Sequence, residues 1–169
     1  MANHIINFED IANLSVHEAI KKIESLQGIK LSEIKMKDFV FHDNKAISSG
    51  RGVYLFKNDS MFYYVGDCTS RSFIERIPCH FDTKPEAWMN IVVKHYAQRT
   101  LNLPLDNSSL EYASEYILDN FSVVMINFIE YDKNKIAAFE RLLLSTLDTI
   151  NKLKKPLIID SNAIISDLC

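Results

Sequence analysis

The chain has 169 residues, a net charge of −3 at pH 7 and 47% hydrophobic residues. This length suits one globular domain with room for an extension, and the apolar content excludes an intrinsically disordered chain. The slightly acidic balance argues against a protein that grips nucleic acid through bulk positive charge. Charged residues interrupt every apolar stretch, so we expect no membrane-spanning segment.

Cysteine usage points to a reducing compartment. The three cysteines, Cys68, Cys79 and Cys169, are widely spaced and form no CxxC pair. This arrangement disfavours a disulfide framework and a structural zinc site. The first ten residues have neither the basic start nor the apolar core of a signal peptide. We therefore expect an intracellular, cytoplasmic protein that does not bind a membrane.

The first third of the chain is predicted to be helical. Apolar residues recur at helical spacing over 16–26, and Ser15 followed by Glu18 forms a capping-box pattern at the start of this helix. A second, less regular helical segment is expected over 31–47. We therefore predict a helical N-terminal extension over residues 1–50.

A β-hairpin is predicted next. Residues 52–56 and 61–66 are rich in Val, Tyr and Phe, and the turn-forming residues 58–60 separate them. If residues 58–60 form the loop, Tyr54 lies directly opposite Tyr64 on one face of the sheet. Two tyrosines in this arrangement are consistent with simple packing as well as with function.

A helix, an insertion, a strand and a second helix are predicted after the hairpin. We predict a helix opened by residues 69–72, an irregular and helical insertion over 82–120, a third strand over 121–131 and a last long helix over 135–152. This order predicts an α+β fold with a small three-stranded antiparallel sheet flanked by helices.

One carboxylate of the last helix lies within an apolar stripe. Glu140 follows Ile136 by four residues and precedes Leu143 by three, so its side chain is expected on the core side. A buried carboxylate without a partner is costly, and such a group acquires a cation, a hydrogen-bond partner or a raised pKa. A structural salt bridge and a functional carboxylate are both consistent with this position.

Arg76 and His80 are four residues apart, so they point the same way if the intervening helix is regular. A guanidinium group beside an imidazole can clamp a phosphate, because guanidinium donors match phosphate oxygens in pairs. A solvated helix face explains the same spacing, and Pro78 is expected to kink the helix.

The two strands of the hairpin carry a paired motif. Residues 52–54 are Gly-Val-Tyr, and after nine further residues 64–66 are Tyr-Val-Gly. This arrangement resembles the paired signature of the GIY-YIG nuclease superfamily. Arg76, four residues before His80, is similar to the catalytic Arg of that family and its downstream His or Tyr. Segment 138–143 is similar to the later helix that presents the metal-binding Glu of the family.

The resemblance implies a domain organisation. The predicted order of elements matches the β-β-α-β-α core of the GIY-YIG fold. Residues 51–169 would form the nuclease-like domain, 82–120 would be a helical insertion before its third strand, and 1–50 would be the helical extension.

The resemblance also implies roles for individual residues. Glu140 would bind a single divalent ion, Mg²⁺ or Mn²⁺, and Arg76 would neutralise the scissile phosphate. Tyr54 would contact the attacking water as its base or its orienter, and Tyr64 would brace the phosphate. His80 would accept the proton directly or relay it from Tyr54. The implied activity is that of an endonuclease that hydrolyses phosphodiester bonds.

We expect nucleic acid, and DNA in particular, as the substrate, with a partner protein or a homodimer supplying specificity. Arg71 is a second candidate for the phosphate clamp. Asn162 is the nearest counterpart of the final Asn of the family, and Asn151 is the other candidate. Asp67 departs from the family, whose members often have a basic residue at this point. This departure leaves open an alternative function, a nucleic-acid- or protein-binding regulatory module with little or no catalytic activity.

The insertion contains aromatic residues beside basic ones. Trp88, His95, Tyr96 and Arg99 lie near one another in sequence. Such a set could stack on and clamp a nucleic acid strand. Trp88, Val92 and Tyr96 also recur every four residues, which is the spacing of a helix packed on a core.

Overall fold

The centre of the fold is a five-stranded mixed sheet, and a small two-stranded sheet lies apart from it. A computed structural model describes residues 4–42, 45–47, 50–59 and 61–169. The class is α+β, as predicted, but the sheet is larger than the three antiparallel strands expected. Its strands are β1 Ile5–Asn7, β2 Ile29–Lys30, β5 Gly52–Asn58, β6 Met61–Asp67 and β7 Phe121–Asn127, and the small sheet holds β3 Phe41–His42 and β4 Lys45–Ala46.

Helices cover both faces of this sheet. They are α1 Val16–Glu24, α2 Phe73–Arg76, α3 Ile91–His95, α4 Asn107–Asn120, α5 Lys133–Thr146 and α6 Ile165–Leu168. The capping box predicted at the start of α1 is present, because Ser15 Oγ accepts from the Glu18 amide while the Glu18 carboxylate accepts from the Ser15 amide. None of the helices in the described ranges has the length and apolar character needed to cross a membrane.

The N-terminal segment is not purely helical, so that prediction is wrong. β1 pairs in parallel with β7, and β2 pairs antiparallel with the same strand. The segment predicted as irregular helix over 31–47 holds a 3₁₀ turn, Met36–Phe39, and the small β3–β4 sheet. Strands of two or three residues give no period-2 pattern of their own, since their partners lie far along the chain.

The three predicted strands lie side by side in the sheet. Its order is β1-β7-β5-β6, and β5 is antiparallel to both of its neighbours. The middle of β5 is completely buried because helices pack on both faces. One face packs against α1 and α5, and the other, rich in aromatic side chains, packs against α2, α3 and α4.

The register of the β5–β6 hairpin differs from the prediction. Tyr54 lies opposite Gly66, not opposite Tyr64, and Phe56 is the residue that pairs with Tyr64. The difference is two residues, so Tyr54 and Tyr64 still share a face, with their ring centroids 6.3 Å apart.

A tighter turn accounts for this register. Asn58 pairs with Met61, so Asn58 belongs to the strand and not to the predicted loop. Asp59 adopts a positive φ of 52°, as residues of tight hairpin turns do. Ser60, the last residue of the predicted loop, lies outside the described residues. A shift between Phe56 and Lys57 then displaces the pairing farther along the strands.

The outer edge of β6 is covered by the segment that follows α5. The helix predicted to run to residue 152 ends at Thr146, and the chain turns back along the strand. The Ile150 amide donates to the Tyr63 carbonyl at 3.0 Å. The Asn151 side chain donates to the Val65 carbonyl at 2.6 Å and accepts from its amide at 3.2 Å. Asn151 therefore replaces a neighbouring strand and closes an edge that would otherwise be open to pairing.

Candidate active site

Two glycines of the paired motif have steric reasons to be glycine. A Cβ atom at Gly66 would overlap the ring of Tyr54, including its hydroxyl oxygen. Gly52 has a φ of +155°, and a Cβ atom there would overlap the carbonyl oxygen of Ile126 on the neighbouring strand. Gly66 therefore allows the phenol of Tyr54 to lie across β6, and Gly52 allows β5 to begin close to β7.

A buried hydrogen bond links Tyr54 to His80. The Tyr54 hydroxyl oxygen and His80 Nε2 are 2.5 Å apart, and both residues are 0% exposed. The hydroxyl donates to Nε2 in the tautomer that carries the imidazole proton on Nδ1. Nδ1 is buried and has no hydrogen-bond partner among the described residues.

The segment that carries Arg76 and His80 is not one regular helix. α2 ends at Arg76 and continues as a 3₁₀ helix, Ile77–Phe81, with Pro78 in its first turn. The change to 3₁₀ geometry fits the missing amide hydrogen of Pro78. The two side chains nevertheless interact through charge: burial is the main cause that lowers the pKa of His80, and Arg76 lowers it further.

Tyr64 completes an aromatic triangle with the Tyr54–His80 pair. Its ring centroid lies 5.0 Å from that of His80, and the centroids of Tyr54 and His80 are 5.6 Å apart. Burial raises the pKa of Tyr54 well above its usual value and that of Tyr64 to about 12. Burial, together with Arg76, lowers the pKa of His80 to about 3. All three groups are therefore neutral at pH 7.

Glu140 lies on α5 and acts on the triangle through its charge, which affects Tyr64. Burial is the main cause that raises the pKa of Glu140 to about 7, the charge of Asp67 raises it further, and Arg76 opposes both. None of the described residues donates a hydrogen bond to Glu140 or forms an ion pair with it. The alternative of a structural salt bridge at Glu140 is therefore not supported. The negative charge of Glu140 also raises the pKa of Tyr64, which places the two groups in one electrostatic environment.

Arg76 supplies the positive charge of this environment. Its guanidinium group acts on the pKa values of all four groups: Tyr54, Tyr64, His80 and Glu140. Its Nη1 atom is buried and has no hydrogen-bond partner in the described part of the chain. A buried donor without a partner costs about 1–3 kcal/mol, so an anionic ligand that accepts from Nη1 would recover this cost.

The donor set around Glu140 fits a hard divalent cation held by one carboxylate. Across residues 4–42, 45–47, 50–59 and 61–169, no group of three or more His, Cys, Asp and Glu side chains converges as a protein-built metal cage. Mg²⁺ is commonly held by one or two carboxylates with water and phosphate oxygens in its other positions. Glu140, which has no hydrogen-bond or ion-pair partner within the described ranges, suits this mode of binding.

Asp67 is the charged neighbour whose effect the sequence did not reveal. It follows Gly66 at the end of β6, and its charge raises the pKa values of Tyr54, Tyr64 and Glu140. The sequence indicated only that Asp67 directly follows the Tyr-Val-Gly motif, at a position where a basic residue was expected. An acidic group there makes the site less positive than the family pattern implies.

The two candidates for substrate binding lie in different places. Arg71 lines the same surface pocket as Arg76. Asn162 is exposed in a turn beside the start of α1, where neighbouring carbonyl groups accept from the amides of Val16 and His17. The structure thus brings Arg71 to the candidate site and leaves Asn162 apart from it.

The other candidate asparagine, Asn151, lies against the outer edge of β6 and holds the strand that carries Tyr64. Of the predicted catalytic set, Tyr54, Tyr64 and His80 contact one another, and Arg76 lies in the segment that carries His80. Glu140 lies on α5, which packs on the opposite face of the sheet, and it is linked to Tyr64 and Arg76 through charge alone. No protein-family model, no curated protein and no solved structure matches the chain.

Proposed function

We propose that the protein is a divalent-metal-dependent endonuclease that hydrolyses phosphodiester bonds of DNA. The observation that supports this most strongly is the buried Tyr54–His80 hydrogen bond, together with Glu140, a carboxylate that shares the influence of Arg76 and has no partner among the described residues. The GIY-YIG-like order of Tyr54, Tyr64, Arg76, His80 and Glu140 supports the same function. Phosphodiester hydrolysis needs a positioned water, positive charge at the phosphate and help for the leaving oxygen.

Tyr54 acts as the orienter of the attacking water. When its hydroxyl donates to His80 Nε2, the lone pairs of the phenol oxygen remain free to accept from a water molecule. The high pKa of Tyr54 and the low pKa of His80 both oppose transfer of a full proton into this pair. Glu140 would hold a divalent cation, and that ion would supply Lewis-acid chemistry.

Arg76 and Tyr64 bind the phosphate. The free Nη1 donor of Arg76 matches a phosphate oxygen, and its charge offsets the negative charge that develops in the transition state. The neutral Tyr64 hydroxyl, with a pKa of about 12, can donate a hydrogen bond to a second phosphate oxygen. Both residues act by position and charge and need no change of protonation.

Two observations favour a second candidate, a binding module with little turnover. Tyr54 and His80 are both 0% exposed, so a water molecule reaches the phenol only when the covering side chains move. Asp67 adds negative charge where a phosphate would enter. In this case the protein would bind nucleic acid or a protein partner without hydrolysing a phosphodiester bond.

A cleavage assay with matched variants tests the proposal. Supercoiled plasmid, single-stranded DNA and branched DNA are incubated with Mg²⁺ or Mn²⁺ and with wild type, Glu140→Gln or Glu115→Gln. Glu115 is an exposed carboxylate of α4, so its variant controls for the loss of one charge. We expect cleavage by wild type and Glu115→Gln and a loss of about 100-fold or more in Glu140→Gln. Equal cleavage by all three proteins, or none by any of them on every substrate, would contradict the proposal.

A further inference from the structure

A small surface pocket adjoins the proposed phosphate site, with which it shares Arg76, and its other basic and aromatic residues have no role in the mechanism above. Its volume is about 190 Å³. Its lining includes Asp67, Ser70, Arg71, Arg76, Trp88 and Met89. The pocket therefore lies between the segment that follows β6 and the loop that precedes α3. Two arginines and one tryptophan line it.

Trp88 is unusually open to solvent for a tryptophan. It is 78% exposed, whereas Val92 and Tyr96, its neighbours in the four-residue pattern, are buried. Val92 and Tyr96 therefore pack in the core, as the four-residue spacing predicts, and Trp88 does not. A large exposed aromatic side chain forgoes the stability that its burial would give, which is typical of a contact surface.

The loop that carries Trp88 is fixed to the body of the protein. Asn90 is completely buried, and Met89 beside it is nearly so. Three side-chain to main-chain hydrogen bonds hold the loop: Asn90 Nδ2 to the carbonyl oxygens of Asp82 at 2.7 Å and Lys84 at 2.9 Å, and Lys94 Nζ to the carbonyl oxygen of Ala87 at 2.5 Å. The indole is thus presented from an anchored loop, which lowers the entropic cost of binding a ligand to it.

Arg71 lines the same pocket as Trp88. Its side chain is exposed, and Nη1 contacts the Met89 sulfur at 3.5 Å. Deeper in the pocket lies Arg76, whose buried Nη1 has no partner among the described residues. Two guanidinium groups and an exposed aromatic face offer the two contacts that a nucleotide makes, one to its phosphate and one to its base.

We propose that this pocket binds an unpaired nucleotide next to the scissile phosphate, with the base stacked on Trp88 and the phosphate held by Arg71. In a continuous duplex both faces of a base are covered by its neighbours, so stacking on an indole requires a single-stranded or extruded nucleotide. This inference rests on the proposed function and gives its substrate class. The substrate is DNA with single-stranded character at the cleavage position, such as a flap, an overhang or a branch.

The chain offers a direct probe, because Trp88 is its only tryptophan. A 12-nucleotide single strand and a hairpin duplex of the same length are titrated into wild type without divalent cations while tryptophan emission is recorded. We expect the single strand to quench the emission and to bind more tightly than the duplex. Unchanged emission with both DNAs, or equal quenching by both, would overturn the inference.

Variants establish whether stacking causes the affinity. Affinity for the labelled single strand is measured by fluorescence anisotropy. We expect Trp88→Ala to lose about 5- to 150-fold, Trp88→Phe to retain most of the affinity and Arg71→Gln to weaken binding and its salt dependence. Tyr112→Ala, which removes an exposed aromatic of α4, is the control and should bind as wild type does. Unaltered binding by Trp88→Ala would refute the stacking role.

The outcomes separate this inference from the proposed function. Metal-dependent cleavage that is unaffected by Trp88→Ala would refute the nucleotide pocket and leave the nuclease standing. Quenching and single-strand preference without cleavage in Mg²⁺ or Mn²⁺ would refute the nuclease and leave the pocket standing.

Discussion

Replacing Glu140 by Gln is expected to stabilise the folded protein above neutral pH. Burial, aided by the charge of Asp67, raises the pKa of Glu140 from 4.5 to about 7, although Arg76 opposes the rise. At pH values between 4.5, the pKa in the unfolded state, and about 7, the pKa in the folded state, Glu140 is more often protonated in the folded state. The wild-type protein therefore loses stability as the pH rises through this window, and an amide at position 140 does not titrate.

The magnitude follows from the difference between the two pKa values. A difference of about 2.5, from 4.5 to about 7, corresponds to at most about 3.4 kcal/mol at about 1.36 kcal/mol per pKa unit. Glu140 keeps partial contact with solvent, which screens its interactions. We therefore expect Glu140→Gln to be more stable than wild type by about 2 kcal/mol at about pH 8 and nearly equal to it at about pH 4.

Urea denaturation at both pH values measures this difference directly. The slopes of the unfolding curves should agree between the proteins, so that midpoints report stability. Glu115→Gln, with its exposed carboxylate, should follow wild type at both pH values. Addition of Mg²⁺ should stabilise wild type and not Glu140→Gln. Equal or lower stability of Glu140→Gln at about pH 8 would refute the claim that Glu140 is a partly buried carboxylate without a partner among the described residues.

Three further changes test the surroundings of the site. Gly66→Ala should lower the free energy of unfolding by about 1–3 kcal/mol, measured by thermal unfolding, because the new methyl group displaces Tyr54. In a Tyr54→Ala background the same substitution should cost much less. An unchanged unfolding midpoint of Gly66→Ala would contradict the overlap. Asn151→Ala should cost about 1–3 kcal/mol in urea, with Asn151→Asp between it and wild type. Asp67→Asn should lower the pKa of Glu140 and so lower the pH midpoint of Mg²⁺ binding. Loss of Mg²⁺ binding in this variant would instead indicate that Asp67 is a metal ligand.

Local signals in the sequence were sufficient for several elements. The start of α1 was predictable because Ser15 and Glu18 satisfy each other's polar groups within four residues. The β5–β6 hairpin and β7 were predictable because β-branched and aromatic residues cluster between turn formers. The order of Tyr54 and Tyr64 along two adjacent strands also predicted that their rings share one face.

Features that depend on distant partners were not predictable. β1 and β2 are too short to show a pattern, and each becomes a strand only because β7 offers its edge. The register depended on a turn one residue tighter than expected, and the end of α5 depended on the pairing of Asn151 with β6. The pKa of Glu140 could not be derived, because it depends first on burial, which tertiary packing sets, and then on Asp67, which is distant in sequence.

The most direct test of the central claim is cleavage in water enriched in oxygen-18, followed by mass spectrometry of the new DNA ends. If Glu140, Arg76 and the Tyr54–His80 pair direct hydrolysis, each cleavage by wild type should place one labelled oxygen in the new terminal phosphate, and the other new end should be an unlabelled hydroxyl. Glu140→Gln and Tyr54→Phe should yield at least about 100-fold less labelled product in the same time. Equal amounts of labelled product from all three proteins would contradict the account.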